Sequence, residues 1–261
     1  MSTTLTASAG DAAYQAPDAI DFIGARFDLV TLEQAAELCA GVGGAPFRWV
    51  VTPNVDQIVR LNRESEKYQT VWDAAWLSVC DSRILQLLAK FSKIDMPVVP
   101  GSDLTQYLFE HYITPDTRVN VIGGDDDVIA KVKARYGLKN ITVHSPPMGL
   151  RTNPAAIAAC AEFAAANPAA YTFICVGSPQ GEMVSKAIAD RGGATGAGLS
   201  VGASLDFLAG RQVRAPRWMQ NARLEWLYRL LQNPKRMYKR YLIDGPKIFK
   251  LYLNWRRAKT V

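Results

Sequence analysis

Two histidines and four cysteines are all this 261-residue chain offers to a borderline or soft metal, and neither set is arranged for it. His111 and His144 lie far apart and read as structural residues. Cys39, Cys80, Cys160 and Cys175 lack CxxC spacing and sit within or at the end of apolar runs, where a thiol behaves as a small hydrophobe. A disulfide framework is thereby excluded and a reducing compartment is expected. No apolar run approaches the roughly eighteen residues of a spanning helix, because charges interrupt each long hydrophobic region. Neither GxGxxG nor GxxxxGK[ST] occurs, so dinucleotide and ATP fingerprints are missing. Residues 1–18 have neither a basic start nor an apolar core, and read as a loose tail rather than a signal peptide.

Acid is scarce in one place. From Arg211 to Val261 the chain holds 14 of its 30 Lys and Arg but only 2 of its 24 Asp and Glu, namely Glu225 and Asp244. That segment carries +12 and the remainder −6, which the net +6 conceals.

What is present before it is a strand–helix rhythm. Ile20 to Val30 predicts a strand or hairpin, and Thr31 with Gln34 forms a capping box opening a helix through about Ala40. Phe47 to Val51 leads to Thr52-Pro53-Asn54, and Val55, Ile58, Val59 and Leu61 then recur at helical spacing. Leu77 to Cys80 leads to Asp81, Val119 to Ile122 leads to Gly123-Gly124, and Tyr171 to Val176 leads to Gly177-Ser178-Pro179, each followed by a helix. Such alternation predicts an α/β fold, a Rossmann-like, mostly parallel sheet flanked by helices. The composition break near Gly210 divides the chain into a tail (1–18), an α/β core (19–210) and a basic aromatic helical appendage (211–261).

In a parallel sheet, ligands gather outside the carboxyl ends of the strands. There Asp81 reads in two ways: as a carboxylate able to take a proton from a sugar hydroxyl, or as an ordinary helix N-cap, which spacing alone favours. The glycine turns let a diphosphate approach backbone N–H groups, a weak signal by itself. Asp125-Asp126-Asp127 contains a DxD pattern for a divalent metal, yet acids in a helix's first turn are expected from the macrodipole alone, and that reading is favoured. In the appendage, cations alternate with rings: Trp226, Tyr238, Lys239, Arg240, Tyr241, Lys247, Phe249, Lys250 and Trp255 are expected to meet an anionic membrane surface. A solvated basic face and single-stranded nucleic acid are the competing readings.

Val201-Gly202, Asp206-Phe207-Leu208-Ala209-Gly210, Arg214-Ala215-Pro216-Arg217-Trp218 and Leu224 to Leu230 resemble, in that order, the C-terminal signature of the WecG/TagA/CpsF glycosyltransferases. The likeness runs upstream through Thr52, Asn54, Asp81, Gly101, Asp103, Gly123-Gly124 and Gly177 to Glu182. It implies a Rossmann-like core with a helical appendage, and an inverting, metal-independent and cofactor-free transfer of a hexose. The donor would be a UDP-sugar, and the acceptor an undecaprenyl-diphosphate-linked sugar used for exopolysaccharide or another cell-surface polymer. By position Asp81 matches the proposed general base, while Thr52 and Asn54 match a polar crevice loop. Gly123, Gly124, Gly177, Gln180 and Glu182 fall in substrate-binding loops, and Arg214, Arg217, Arg223 and Arg229 are expected to meet diphosphate. The implied location is the cytoplasmic face of the cell membrane, with no nucleic-acid partner; a homo-oligomer is left open, and a non-catalytic nucleic-acid or membrane adaptor is the alternative. Three departures stand out: Asp81-Ser82 for Asp-Gly, Val98-Val99-Pro100-Gly101 for Arg-Val-Thr-Gly, and Gly177-Ser178-Pro179-Gln180-Gly181-Glu182 for Gly-x-Pro-Lys-Gln-Glu. They leave the donor open between N-acetylmannosamine or its uronic acid and a plain hexose such as glucose, and lean to the latter.

Overall fold

The computed structural model describes residues 17–213, 215–216, 218–219, 222 and 224–259, without the side chain of residue 236. The chain enters through an antiparallel hairpin, β1 (Ala19–Phe22) and β2 (Ala25–Asp28). Its two-residue turn places Ile23 and Gly24 at φ of 54° and 76°, the left-handed pair that tight hairpins require. Asn62 Nδ2 donates to Ile23 O at 2.8 Å and holds this uncommon isoleucine in place.

Six parallel strands follow: β3 (Arg48–Val51), β4 (Leu77–Ser78), β5 (Val119–Gly123), β6 (Ile141–His144), β7 (Tyr171–Cys175) and β8 (Ala197–Ser200). They lie in the order β4-β3-β8-β7-β5-β6, the α/β sheet that the alternation predicts. Strand periodicity divides their apolar residues between two cores. Trp49, Val51, Ile122 and Ile174 face one side; Val50, Val121, Phe173 and Leu199 face the other.

The first face is covered by α2 (Val55–Arg63), α3 (Ser65–Asp73), α4 (Arg83–Phe91), α7 (Pro154–Ala166) and α8 (Gln180–Arg191). The second lies under α1 (Leu32–Gly41), α5 (Gly101–His111), α6 (Asp126–Tyr136) and α9 (Ser204–Leu208). The Thr31–Gln34 capping box is formed in both directions. Gly198 is required in β8, because a Cβ there would stand 2.3 Å from the Phe47 ring.

The appendage comprises helices Glu225–Gln232 and Pro234–Tyr238, a π-helical turn over Lys239–Asp244 and a final helix, Lys247–Ala258. That last helix joins the first core: Ile248 and Tyr252 are buried, Trp255 meets Phe22 edge-on at 4.8 Å, and the Tyr252 hydroxyl lies 2.9 Å from Ser92 Oγ. Fully burying a side chain of this size contributes roughly 1.5–3 kcal/mol. Leu242, Ile243, Phe249 and Leu253 remain about half exposed. Among the described residues no helix is long and apolar enough to cross a membrane.

Candidate active site

The parallel sheet brings the predicted loops to one end. β3 delivers Thr52 and Asn54; Asn54 caps α2, accepting from the N–H groups of Asp56 and Gln57, while Gln57 Oε1 accepts from the Asn54 N–H. Beyond β4, the Asp81 N–H donates to Pro53 O at 2.9 Å, which ties the two loops together. The helix after Asp81 is capped by Ser82, whose Oγ accepts from the Leu85 N–H, so Asp81 is not the N-cap. Its carboxylate instead faces the start of α5, with Gly101 N–H 3.5 Å from Oδ2. Thr52 is buried against the same helix start, and a Cβ on Gly101 would stand 3.1 Å from its Oγ1.

Asp81 forms part of a cavity of about 430 Å³ between core and appendage. The core contributes Asn54, Asp56, Asp81 and Ser82 with apolar Val55, Ile84 and Val98; the appendage contributes Glu225, Trp226, Arg229, Arg240, Tyr241 and Phe249. Burial pushes the Asp81 carboxyl up to about 7; Arg229 opposes that shift, Glu225 reinforces it, and the Gly101 N–H and Arg240 pull it down. Glu225 pairs with Arg229 at 2.6 Å, and the Arg229 guanidinium lies 5.6 Å from the centre of the Phe207 ring. Arg240 Nη2 donates to Asn54 Oδ1 at 3.2 Å, and its Nε is buried without a hydrogen-bond partner.

A second cavity, of about 450 Å³, adjoins the first through Asp56 and Arg240. Arg60, Arg63, Arg151, Lys239 and Arg240 line it with Asp56, Glu64 and Asp244, alongside Ser178, Pro179 and Gln180. Arg60 bridges its parts, pairing with Asp56 at 2.8 Å and donating to Ser178 O at 2.6 Å.

Other expected residues are distributed as follows. Gly177 has open space where a side chain would stand, and Gly123 and Gly124 turn at φ of 79° and 91°, where a Cβ on Gly123 would meet Val176 Cγ1 at 2.7 Å. Neither glycine of that pair borders the two cavities. Glu182 is buried and lines neither cavity, accepting from Gln57 Nε2 at 2.9 Å, and desolvation raises its carboxyl. Arg214, Arg217 and Arg223 lie outside the described residues. Of the appendage residues expected at a membrane, Trp226, Arg240, Tyr241 and the half-exposed Phe249 line the first cavity, the exposed Lys239 lines the second and Trp255 packs on Phe22, whereas Tyr238 and Lys250 are exposed outside both. Lys247 pairs with Asp244 at 2.5 Å.

The acids of the DxD pattern have local partners: Asp125 caps α6 and meets Arg211 at 2.7 Å, and Asp127 meets Lys131 at 2.6 Å. Among the described residues no group of three or more His, Cys, Asp or Glu is placed to hold a metal ion. Sequence reasoning did not single out Asp56, Arg60 or Glu225, whose spacing is that of ordinary i,i+4 helix pairs.

A carboxyl held near neutrality in a cavity with guanidinium groups is equipped to take a proton from a hydroxyl beside a departing anion. The model of the glycosyl transferase WecG/TagA/CpsF family matches residues 20–261, from the hairpin through the appendage. With nearly its whole length matched, this chain belongs to the WecG/TagA/CpsF family of glycosyltransferases, a family of cell-surface polymer synthesis.

Proposed function

We propose that the enzyme transfers a hexosyl group, with inversion, from a UDP-sugar to a polyprenyl-diphosphate-linked sugar. The observation that carries this reading is the pairing, in one cavity, of an Asp81 carboxyl at about 7 with Arg229 and Arg240. Asp81 accepts the proton of the acceptor hydroxyl as that oxygen bonds to the anomeric carbon. The bond from that carbon to the UDP β-phosphate oxygen breaks on the opposite face, and UDP leaves with the electron pair. Guanidinium groups in a poorly solvated site stabilise that developing charge. Arg229 and Arg240 serve this purpose, together with Arg214, Arg217 and Arg223 as the family signature suggests.

The half-exposed Leu242, Ile243, Phe249 and Leu253, set among lysines and arginines, support attachment of the appendage to the inner face of an anionic membrane. The donor sugar is a plain hexose, glucose first, in view of Ser82, Pro100 and Gly181 in the crevice loops. The test is UDP release with a panel of UDP-sugars and a lipid-diphosphate-linked sugar. Release dependent on both substrates supports the proposal; no release with any pair, alongside tight single-strand nucleic-acid binding, overturns it.

A further inference from the structure

The basic cavity beside the Asp81 cavity has more positive charge than its own carboxylates balance. Five guanidinium or ammonium groups face three carboxylates, an excess of two. Arg60 is held by Asp56, and Arg63 by Glu64 and more distantly by Asp244. Arg151 and Lys239 have neither a hydrogen bond nor an ion pair among the described residues, and both are exposed. Four separate segments converge here: α2, the turn Leu150–Thr152, the start of α8 and the π-helical turn. Such a set of donors suits a group with several anionic oxygens.

Resting on the transfer reading above, we propose that this cavity receives the diphosphate of the lipid-linked acceptor, while the acceptor sugar passes Arg240 to reach Asp81. A diphosphate esterified at both ends carries two negative charges, one for each of Arg151 and Lys239, the two cations of this cavity that no carboxylate pairs among the described residues. The acceptor sugar is bonded directly to that diphosphate, and the two cavities share Asp56 and Arg240, so one ligand can occupy both. Tyr238, Leu242 and Ile243 are exposed on the segment that carries Lys239 and Arg240, giving the polyprenyl end an apolar exit. A nucleotide sugar has no alkyl chain to lay on Leu242 and Ile243.

The experiment compares the full chain with Arg151→Ala, Lys239→Ala and the double variant on two acceptors: a short isoprenyl-diphosphate-linked sugar, and the same sugar as an alkyl glycoside without diphosphate. The double variant should raise KM for the diphosphate acceptor by about tenfold or more, the scale of losing charge-assisted hydrogen bonds. Its KM for the UDP-sugar and its rate on the alkyl glycoside should be unchanged, and Arg151→Lys with Lys239→Arg should recover the diphosphate acceptor. Equal losses on both acceptors, or a raised KM for the UDP-sugar alone, overturn the proposal. Calorimetric titration with the diphosphate acceptor and with phosphatidylglycerol vesicles tests the site without catalysis. Weakened acceptor binding in the double variant supports it even if no donor is ever transferred, which separates this site from the transfer reading. Weakened vesicle binding with acceptor binding intact makes the cavity a headgroup site and overturns it.

Discussion

Arg240 reaches from the appendage to Asn54, 186 residues earlier, and donates to the same Oδ1 that caps α2. One amide oxygen therefore finishes a core helix and holds a cavity-lining guanidinium. Asn54→Ala should lose about 1 kcal/mol of stability, the usual worth of an N-cap, and should also lower transfer by releasing Arg240. Asn54→Asp keeps an acceptor for both purposes and should retain both properties. Chemical denaturation and initial rates on the same samples distinguish these outcomes.

Asp81 makes stability depend on pH in a defined direction. Its folded-state carboxyl, at about 7, stands above the ordinary 3.8, so the native chain keeps a proton that the unfolded chain has released. Stability from this group should therefore fall as pH rises from about 4 to about 7 and then level off. Asp81→Asn removes the effect, so its stability advantage over the natural chain should be absent near pH 4 and grow towards pH 7. Denaturation midpoints across that range provide the check.

The α/β alternation, the hairpin and the Thr31 capping box were legible because each rests on local pattern. Strand order was not, since β8 pairs with β3 and β7 through contacts that no local period encodes. Spacing alone favoured Asp81 as the N-cap; Ser82, one residue on, takes the role instead and leaves Asp81 to the cavity. The inward turn of Arg240 was hidden for a different reason. The bond from Gly245 N to Arg240 O spans five residues, and this π-helical turn shifts the helical phase, so that Arg240, Tyr241 and one side of Leu242 line the cavity while Ile243 turns away from it.

Trp255 and Phe249 lie on one helix but should behave oppositely. Trp255 packs on Phe22, so Trp255→Ala should cost roughly 1–3 kcal/mol of stability and change vesicle affinity little. Phe249 is 53% exposed, so Phe249→Ala should weaken vesicle binding and leave stability nearly unchanged. Thermal denaturation with vesicle co-sedimentation separates the two.

Chelation addresses the acids at the start of α6. Their pairing with Arg211 and Lys131 predicts that EDTA leaves the transfer rate unchanged. Strong loss restored by manganese or magnesium would make Asp125 and Asp127 metal ligands instead.

Whether Asp81 is the general base is decided by the transfer rate of Asp81→Asn against the natural chain from pH 5 to pH 9. The natural enzyme should gain activity as pH rises through about 7, where Asp81 loses its proton. The variant should bind UDP normally, turn over about 100-fold slower or worse, and lose that pH dependence. An asparagine variant with near-normal turnover, or with the same acidic limb as the natural enzyme, would show that Asp81 is not the base.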